Sequence, residues 1–193
     1  MSSYYPLFLN LKGKRALIFG GGNVALRKAK SFVKSGAKLT VISRAFIVQF
    51  LKLSKQHKIK LKKGSQIPSL SNFSLVVCAT SDSSFNRKVA RLCQKKKILV
   101  NVADDRKESS FIVPSSIQKG NLQIAISTGG ASPFLAKTLR KKLTAELSGK
   151  YGNLVHYLNR GRAKIKKTIR SPKKRKAYFK RLVKTQLKKM TSK

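Results

Sequence analysis

Three short stretches carry residue types able to do chemistry. Gly20, Gly22 and Ala25 fit the form G-x-G-x-x-G/A, a spacing that turns a backbone sharply, lets a pyrophosphate approach it and packs a helix tightly on a sheet. Asp104 and Asp105 follow the apolar run Ile98–Val102 and are two of only 5 acids in 193 residues, so their carboxylates can exchange protons with whatever binds beside them. Ser127–Pro133 is small and amide-rich, with Ser132 placed to cap a helix that Pro133 begins. Each also has a plain structural reading: a glycine turn, a turn-forming Asp pair and an ordinary capped turn. Chemistry follows if the first holds phosphates on the free N–H groups of a helix start and the third forms a second anion cradle.

The surrounding pattern supplies elements to position these residues. Ala16–Phe19 is an apolar run of strand length, and Val24, Ala25, Ala29, Phe32 and Val33 have helical spacing up to Gly36. Leu39–Ile42 is a second strand, which completes a βαβ unit around the glycines. At its end, where a site selecting NAD usually carries an acid, the chain reads Ser43-Arg44. Serine can bind a ribose hydroxyl and arginine can accept a 2′-phosphate, so the dinucleotide class is legible and the choice between NAD and NADP is not. Phe46, Ile47, Phe50, Leu51 and Leu53 predict a helix, and Lys58–Lys62 an edge strand with its lysines in water. Ser74–Ala79 reads as a buried strand running into Thr80-Ser81-Asp82, with Asp82 capping a helix that carries Phe85, Val89, Leu92 and Cys93. Ile98–Val102 is a further strand. This alternation predicts an α/β fold, a Rossmann-like doubly wound and mostly parallel sheet. Ligands bind outside the carboxyl ends of such strands, which selects Gly20–Gly22, Thr80–Asp82 and Asn101–Asp105.

After Asp105 the pattern changes. Phe111–Pro114 and Leu122–Thr128 read as strands with no helix between them, followed by a helix over Phe134–Leu147. Tyr151, Leu154, Val155 and Leu158 mark one short helix, and Tyr178 to Met190 another. The expected organisation is a dinucleotide-binding domain over 1–110, a small strand-plus-helix region for dimerisation and substrate over 111–149, and a basic helical tail over 150–193.

Charge is the oddest feature of the composition. Lys and Arg number 45 against 5 acids, a net charge of +40, and residues 160–193 hold 16 of the cations and no acid. Such a field attracts any polyanion: nucleic acid, acidic lipid or a metabolite with many carboxylates. No nucleic-acid-binding motif accompanies it, so contact with nucleic acid is expected to be non-specific. Cys78 and Cys93 sit in apolar runs and read as core residues of a reduced protein; with no signal or membrane-spanning pattern, a cytoplasmic location is expected. His57 reads as a surface residue with no second His or Cys at metal-ligand spacing, and His156 as a packed helix residue, so no resident metal is expected.

The stretches YPLFLNLKGKRALIFGGGNVALRKA, ISRAFIVQF, LVVCATSDSSFNRKVA, ILVNVADDRKESSFIVPSSI and LQIAISTGGASPFLAKTLRKKL together are far more specific than the glycine turn. Across about residues 4–147 the chain resembles the precorrin-2 dehydrogenase/sirohydrochlorin ferrochelatase family, the N-terminal module of siroheme synthase that also occurs alone. The resemblance implies NAD-dependent oxidation of precorrin-2 to sirohydrochlorin, insertion of Fe²⁺ as a second activity, and a homodimer built through the segment after Asp105. Dehydrogenation without chelation remains open, as does a nucleic-acid-binding protein on a Rossmann-like core. It also implies residue roles. Asp104 corresponds to the family's catalytic aspartate; Gly20, Gly22, Asn23, Val24, Ser43, Arg44, Ala45 and Thr80 fall on the cofactor side. Asn101, Asp105, Thr128, Gly129, Gly130 and Ser132 fall on the tetrapyrrole side, with Thr128 standing where the family commonly has serine.

Overall fold

A computed structural model describes residues 4–147 and 149–191. The chain divides between Val113 and Pro114 into two units, which are taken separately.

The first unit follows the predicted alternation. Its strands and helices are β1 (Arg15–Phe19), α1 (Asn23–Lys34), β2 (Lys38–Ser43), α2 (Val48–Gln56), β3 (Lys60–Lys63), β4 (Leu75–Cys78), α3 (Ser83–Lys95) and β5 (Leu99–Val102). The five strands are parallel in the order β3-β2-β1-β4-β5. The order reverses at β1, so the glycine turn leaves the sheet at its topological switch point. One face packs Ala16, Ile18, Val41, Leu75 and Val77 beneath Ala25, Leu26, Ala29 and Phe32 of α1 and Phe50 and Leu53 of α2. The opposite face packs Leu17, Phe19, Val76, Cys78, Val100 and Val102 beneath Val89, Ala90 and Cys93 of α3. Burial on both faces is why β1 and β4 read as unbroken apolar runs rather than alternating ones. At the edge, β3 leaves Lys60, Lys62 and Lys63 exposed and only Leu61 partly covered. Cys78 and Cys93 are free thiols in the core; burial pushes them up to about 12 and about 11, so they pack and do not react.

Phe111–Pro114 departs from expectation: it forms no strand. The outer edge of β5 is closed by serine side chains instead. Ser110 Oγ accepts from the Val100 N–H at 2.8 Å and its own N–H donates to the Val100 carbonyl at 2.8 Å. Ser109 Oγ accepts from the Val102 N–H at 2.8 Å and donates to the Asp105 carbonyl at 2.7 Å. With that edge satisfied by hydroxyls, Phe111 is released to pack on the α1–α2 core.

The second unit begins with a hairpin, β6 (Ser115–Lys119) and β7 (Leu122–Ile126), closed through Gly120-Asn121 with Gly120 at φ +57. The strand thus starts one residue after Pro114, where the ring no longer removes a donor from the ladder. Helices α4 (Pro133–Glu146), α5 (Gly149–Thr168) and α6 (Pro172–Thr191) follow. Gly152 passes so close to the hairpin that a Cβ there would lie 2.8 Å from the Lys119 carbonyl oxygen. The predicted short helix at Tyr151–Leu158 is one part of the 20-residue α5. Arg and Lys are good helix formers, so the basic run extended a helix that apolar spacing alone ended too early. His156 on it, expected to be packed, is exposed instead. Among the described residues, no helix is long and apolar enough to cross a membrane.

Candidate functional site

Parallel register brings the predicted strand ends into one row. Ile42, Phe19, Cys78 and Val102 stand side by side across β2, β1, β4 and β5. Backbone N–H groups of the next residues along continue the ladder, Gly20 to the Ile42 carbonyl, Ala79 to Phe19 and Ala103 to Cys78, at 2.9, 2.8 and 2.9 Å. The tip of β5 therefore lies two strand spacings, roughly 10 Å, from the glycine turn.

The three glycines differ in their tasks. Gly20 has φ +121, and a Cβ there would stand 2.3 Å from the Ala79 carbonyl oxygen. At Gly21 a Cβ would meet the Ala45 carbonyl oxygen, and the Gly21 carbonyl accepts from the Ile47 N–H at 3.1 Å. These two glycines let β1, β2 and β4 converge. Gly22 is the exposed N-cap of α1, and a Cβ there would find nothing within 4 Å. No side chain caps α1 and no acid lies in its first turn, where Asn23 and Val24 are exposed. An open corner with free helical N–H groups and no competing carboxylate fits a dinucleotide's phosphates.

On either side of that corner lie the other residues expected on the cofactor side. Ser43 ends β2, its Oγ 2.8 Å from where a Gly21 Cβ would stand, and Arg44 and Ala45 follow, both exposed. Thr80, two residues past β4, sits in a locked turn: its hydroxyl donates to Asn86 Oδ1 at 2.7 Å, and Asn86 Nδ2 donates to the Thr80 carbonyl at 3.0 Å. Asp82 caps α3 as predicted, accepting from the Phe85 N–H at 2.9 Å. That bond and one from the Ser84 hydroxyl hold its carboxyl below the usual range, with a smaller contribution from the charge of Arg44.

At the tip of β5 the two aspartates part company. Asp105 is turned into its own loop, where its carboxylate accepts from the N–H groups of Lys107 and Glu108 at 3.0 and 3.3 Å. Gln94 Nε2 donates to the Glu108 carbonyl at 3.3 Å, which ties the loop to α3. Asp104 is exposed on the loop so fixed. Asn101 is 6% exposed, with both ends of its amide engaged: Oδ1 accepts from Lys28 Nζ at 2.8 Å and Nδ2 donates to the Phe111 carbonyl at 3.0 Å. Asn101 and Asp105, both expected on the tetrapyrrole side, are thus engaged in hydrogen bonds within the protein.

Thr128, Gly129, Gly130 and Ser132 belong to the second unit, at the start of α4. Ser132 Oγ accepts from the Leu135 N–H at 3.1 Å, and Thr128 Oγ1 accepts from the Ser132 N–H at 3.1 Å. Gly129 and Gly130 have φ of +59 and +82, conformations that suit glycine. Among the described residues no group of three His, Cys, Asp or Glu could hold a metal ion.

Sequence reasoning passed over Gly21, Asn86 and Lys28. Gly21 was visible as the middle of a glycine run; Lys28 carried no signal among so many lysines.

Two family models match the chain. One, described as putative NAD(P)-binding, covers residues 7–115, and the second, sirohaem biosynthesis protein central, covers 119–146. The chain belongs to the first of these families, described as putative NAD(P)-binding, and carries a sirohaem biosynthesis central region after it. It is 37% identical over 180 residues to a siroheme synthase of Citrobacter koseri, 93% of this chain and 39% of the relative. A siroheme synthase of Thioalkalivibrio sulfidiphilus is 36% identical, over 93% of this chain and 37% of the relative. The chain thus spans about two-fifths of the length of these relatives. Among solved structures, SirC, a precorrin-2 dehydrogenase, superposes with a TM-score of 0.74 at 26% identity, covering 93% of this chain and 89% of its own.

Proposed function

We propose that the chain oxidises precorrin-2 to sirohydrochlorin with NAD, in siroheme biosynthesis. The observation that carries the reading is the juxtaposition of an open helix start at Gly22 and an exposed carboxylate at Asp104 on one edge of one sheet. The SirC likeness over nearly the whole of both chains supports the choice of substrate.

Bound NAD supplies the hydride acceptor. The residues of the chain do the rest. Amides of the first turn of α1 would hold its phosphates and Ser43 and Arg44 its ribose, beside the turn locked by Thr80 and Asn86. Oxidation releases a proton with each hydride, and Asp104 accepts it at its carboxylate. Asp105 and Ser109 hold the loop that presents it. The surplus of cations draws in a carboxylate-rich macrocycle. Fe²⁺ enters this scheme as a substrate of the same site, with Asp104 taking up the pyrrole protons that the metal displaces.

The homodimer is part of the proposal and rests on the second unit. A two-stranded hairpin is marginal alone, and α4 leaves Phe134 79% exposed, with Leu135 and Leu139 also in solvent. A second copy would cover them. The test of the function is direct: purified protein is mixed anaerobically with precorrin-2 and NAD. Sirohydrochlorin and NADH should appear together; NAD binding without turnover of precorrin-2 would exclude the reaction.

A further inference from the structure

None of the first 81 residues is acidic, and these residues form β1, β2 and β3 together with the glycine corner. In sheets of this kind the adenosine ribose is read at the tip of β2, where a carboxylate holds its hydroxyls and repels a 2′-phosphate. That half of this sheet has no carboxylate to do either. Ser43 ends β2 instead, with its Oγ 2.8 Å from where a Gly21 Cβ would stand, so the hydroxyl lies beside the glycine turn. Arg44 follows it, exposed. Lys63, exposed at the end of β3, is level with Ser43 in the parallel register, one strand spacing or roughly 5 Å away. Val41 and Leu61, two residues earlier on the same strands, pack into the core beneath α1 and α2. Alternation therefore puts Ser43 and Lys63 on the face where α1 begins. The Gly64 N–H donates to the Ser43 carbonyl at 2.9 Å, which fastens the two strand tips together. The first acid in the chain, Asp82, is engaged elsewhere: it accepts from the Phe85 N–H at 2.9 Å and the Ser84 hydroxyl at 2.6 Å.

We infer that Ser43, Arg44 and Lys63 form a 2′-phosphate site, and that the chain binds NADP more tightly than NAD. The inference rests on the proposed dinucleotide corner and deepens it. The nicotinamide ring and the hydride it accepts are the same in both cofactors, so the proposed oxidation is unchanged. A guanidinium can grip a phosphate through two parallel N–H bonds, an ammonium adds a point charge, and the serine hydroxyl donates a third contact.

A net charge of +40 favours any added phosphate, so the test must separate position from charge. Calorimetry is run on the whole chain at about 150 mM salt, where exposed charges are screened beyond roughly 8 Å. NADP should bind about tenfold more tightly than NAD. Adenosine 2′,5′-bisphosphate should bind more tightly than adenosine 3′,5′-bisphosphate, which carries the same charge one hydroxyl away. Arg44→Ala and Lys63→Ala, each checked for folding by thermal melting, should each remove most of the preference for NADP. Lys60→Ala, which takes the same charge from the other end of β3, should keep it. NAD bound as tightly as NADP, equal affinity for the two bisphosphates, or a preference that survives both tip variants would overturn the inference. A protein that binds neither dinucleotide would refute the cofactor corner itself. Tight NADP binding with no oxidation of precorrin-2 would leave the 2′-phosphate site standing and refute the reaction.

Discussion

At the scale of residues, the glycine run illustrates how similar letters divide the labour. Gly20 and Gly21 are held by the fold, since a Cβ at either would collide with the backbone of Ala79 or Ala45. Gly20→Ala should therefore destabilise the protein by about 1–3 kcal/mol or more through strain at positive φ, read as a lower Tm. Gly22→Ala should leave Tm nearly unchanged, because no protein atom lies within 4 Å of the added carbon. Its effect belongs to the cofactor: NAD affinity by calorimetry should fall about tenfold or more, equivalent to about 1.4 kcal/mol. Equal NAD affinity in the two proteins would move the phosphates away from this corner. The strand–turn–helix context made these glycines legible in sequence. Nothing in sequence separated their tasks, because the separation depends on which backbone crosses above each one. The same holds for Asn101 and Lys28, 73 residues apart and joined only when the sheet forms.

At the scale of elements, apolar periodicity located every buried strand and the helices around them, since strands covered on both faces and helices covered on one leave distinct patterns. It failed where polar side chains did the work of backbone. Apolar content proposed Phe111–Pro114 as a strand, while the chain closes β5 with Ser109 and Ser110 and starts β6 only at Ser115. Ser110→Ala removes the acceptor for the Val100 N–H, a cost of about 1–3 kcal/mol for an orphaned buried donor. The loop bearing Asp104 should loosen with it, seen as faster hydrogen exchange over residues 103–110. Unchanged exchange and Tm would show that water replaces the hydroxyl at no cost. The helix α5 marks a second failure of pattern: basic residues conceal a continuing helix because a solvated face carries no periodic signal.

At the scale of the whole molecule, charge and exposed apolar surface are the dominant features. A net charge of +40 should bind RNA without sequence preference, and affinity should fall roughly a thousandfold between about 50 and 200 mM salt. Binding that survives the salt would revive the reading of a nucleic-acid-binding protein. The apolar face of α4 makes the oligomeric prediction: the protein should sediment as a dimer, and Phe134→Asp with Leu139→Asp should give a monomer. Wild-type protein that sediments as a monomer at micromolar concentration would contradict it. The charge was plain in sequence, and so was the shared edge of the parallel strands that carry Gly22 and Asp104, whereas the strand order that sets the two apart by one intervening strand was not, because it is a property of strand pairing rather than of any single segment.

The measurement that bears most directly on the whole account is the yield of NADH and sirohydrochlorin from precorrin-2 by Asp104→Ala at saturating NAD, beside wild type. Wild type should give the two products in equal amounts, and the variant should bind NAD with unchanged affinity yet form neither. Wild-type turnover by the variant would remove Asp104 from the chemistry and with it the central claim.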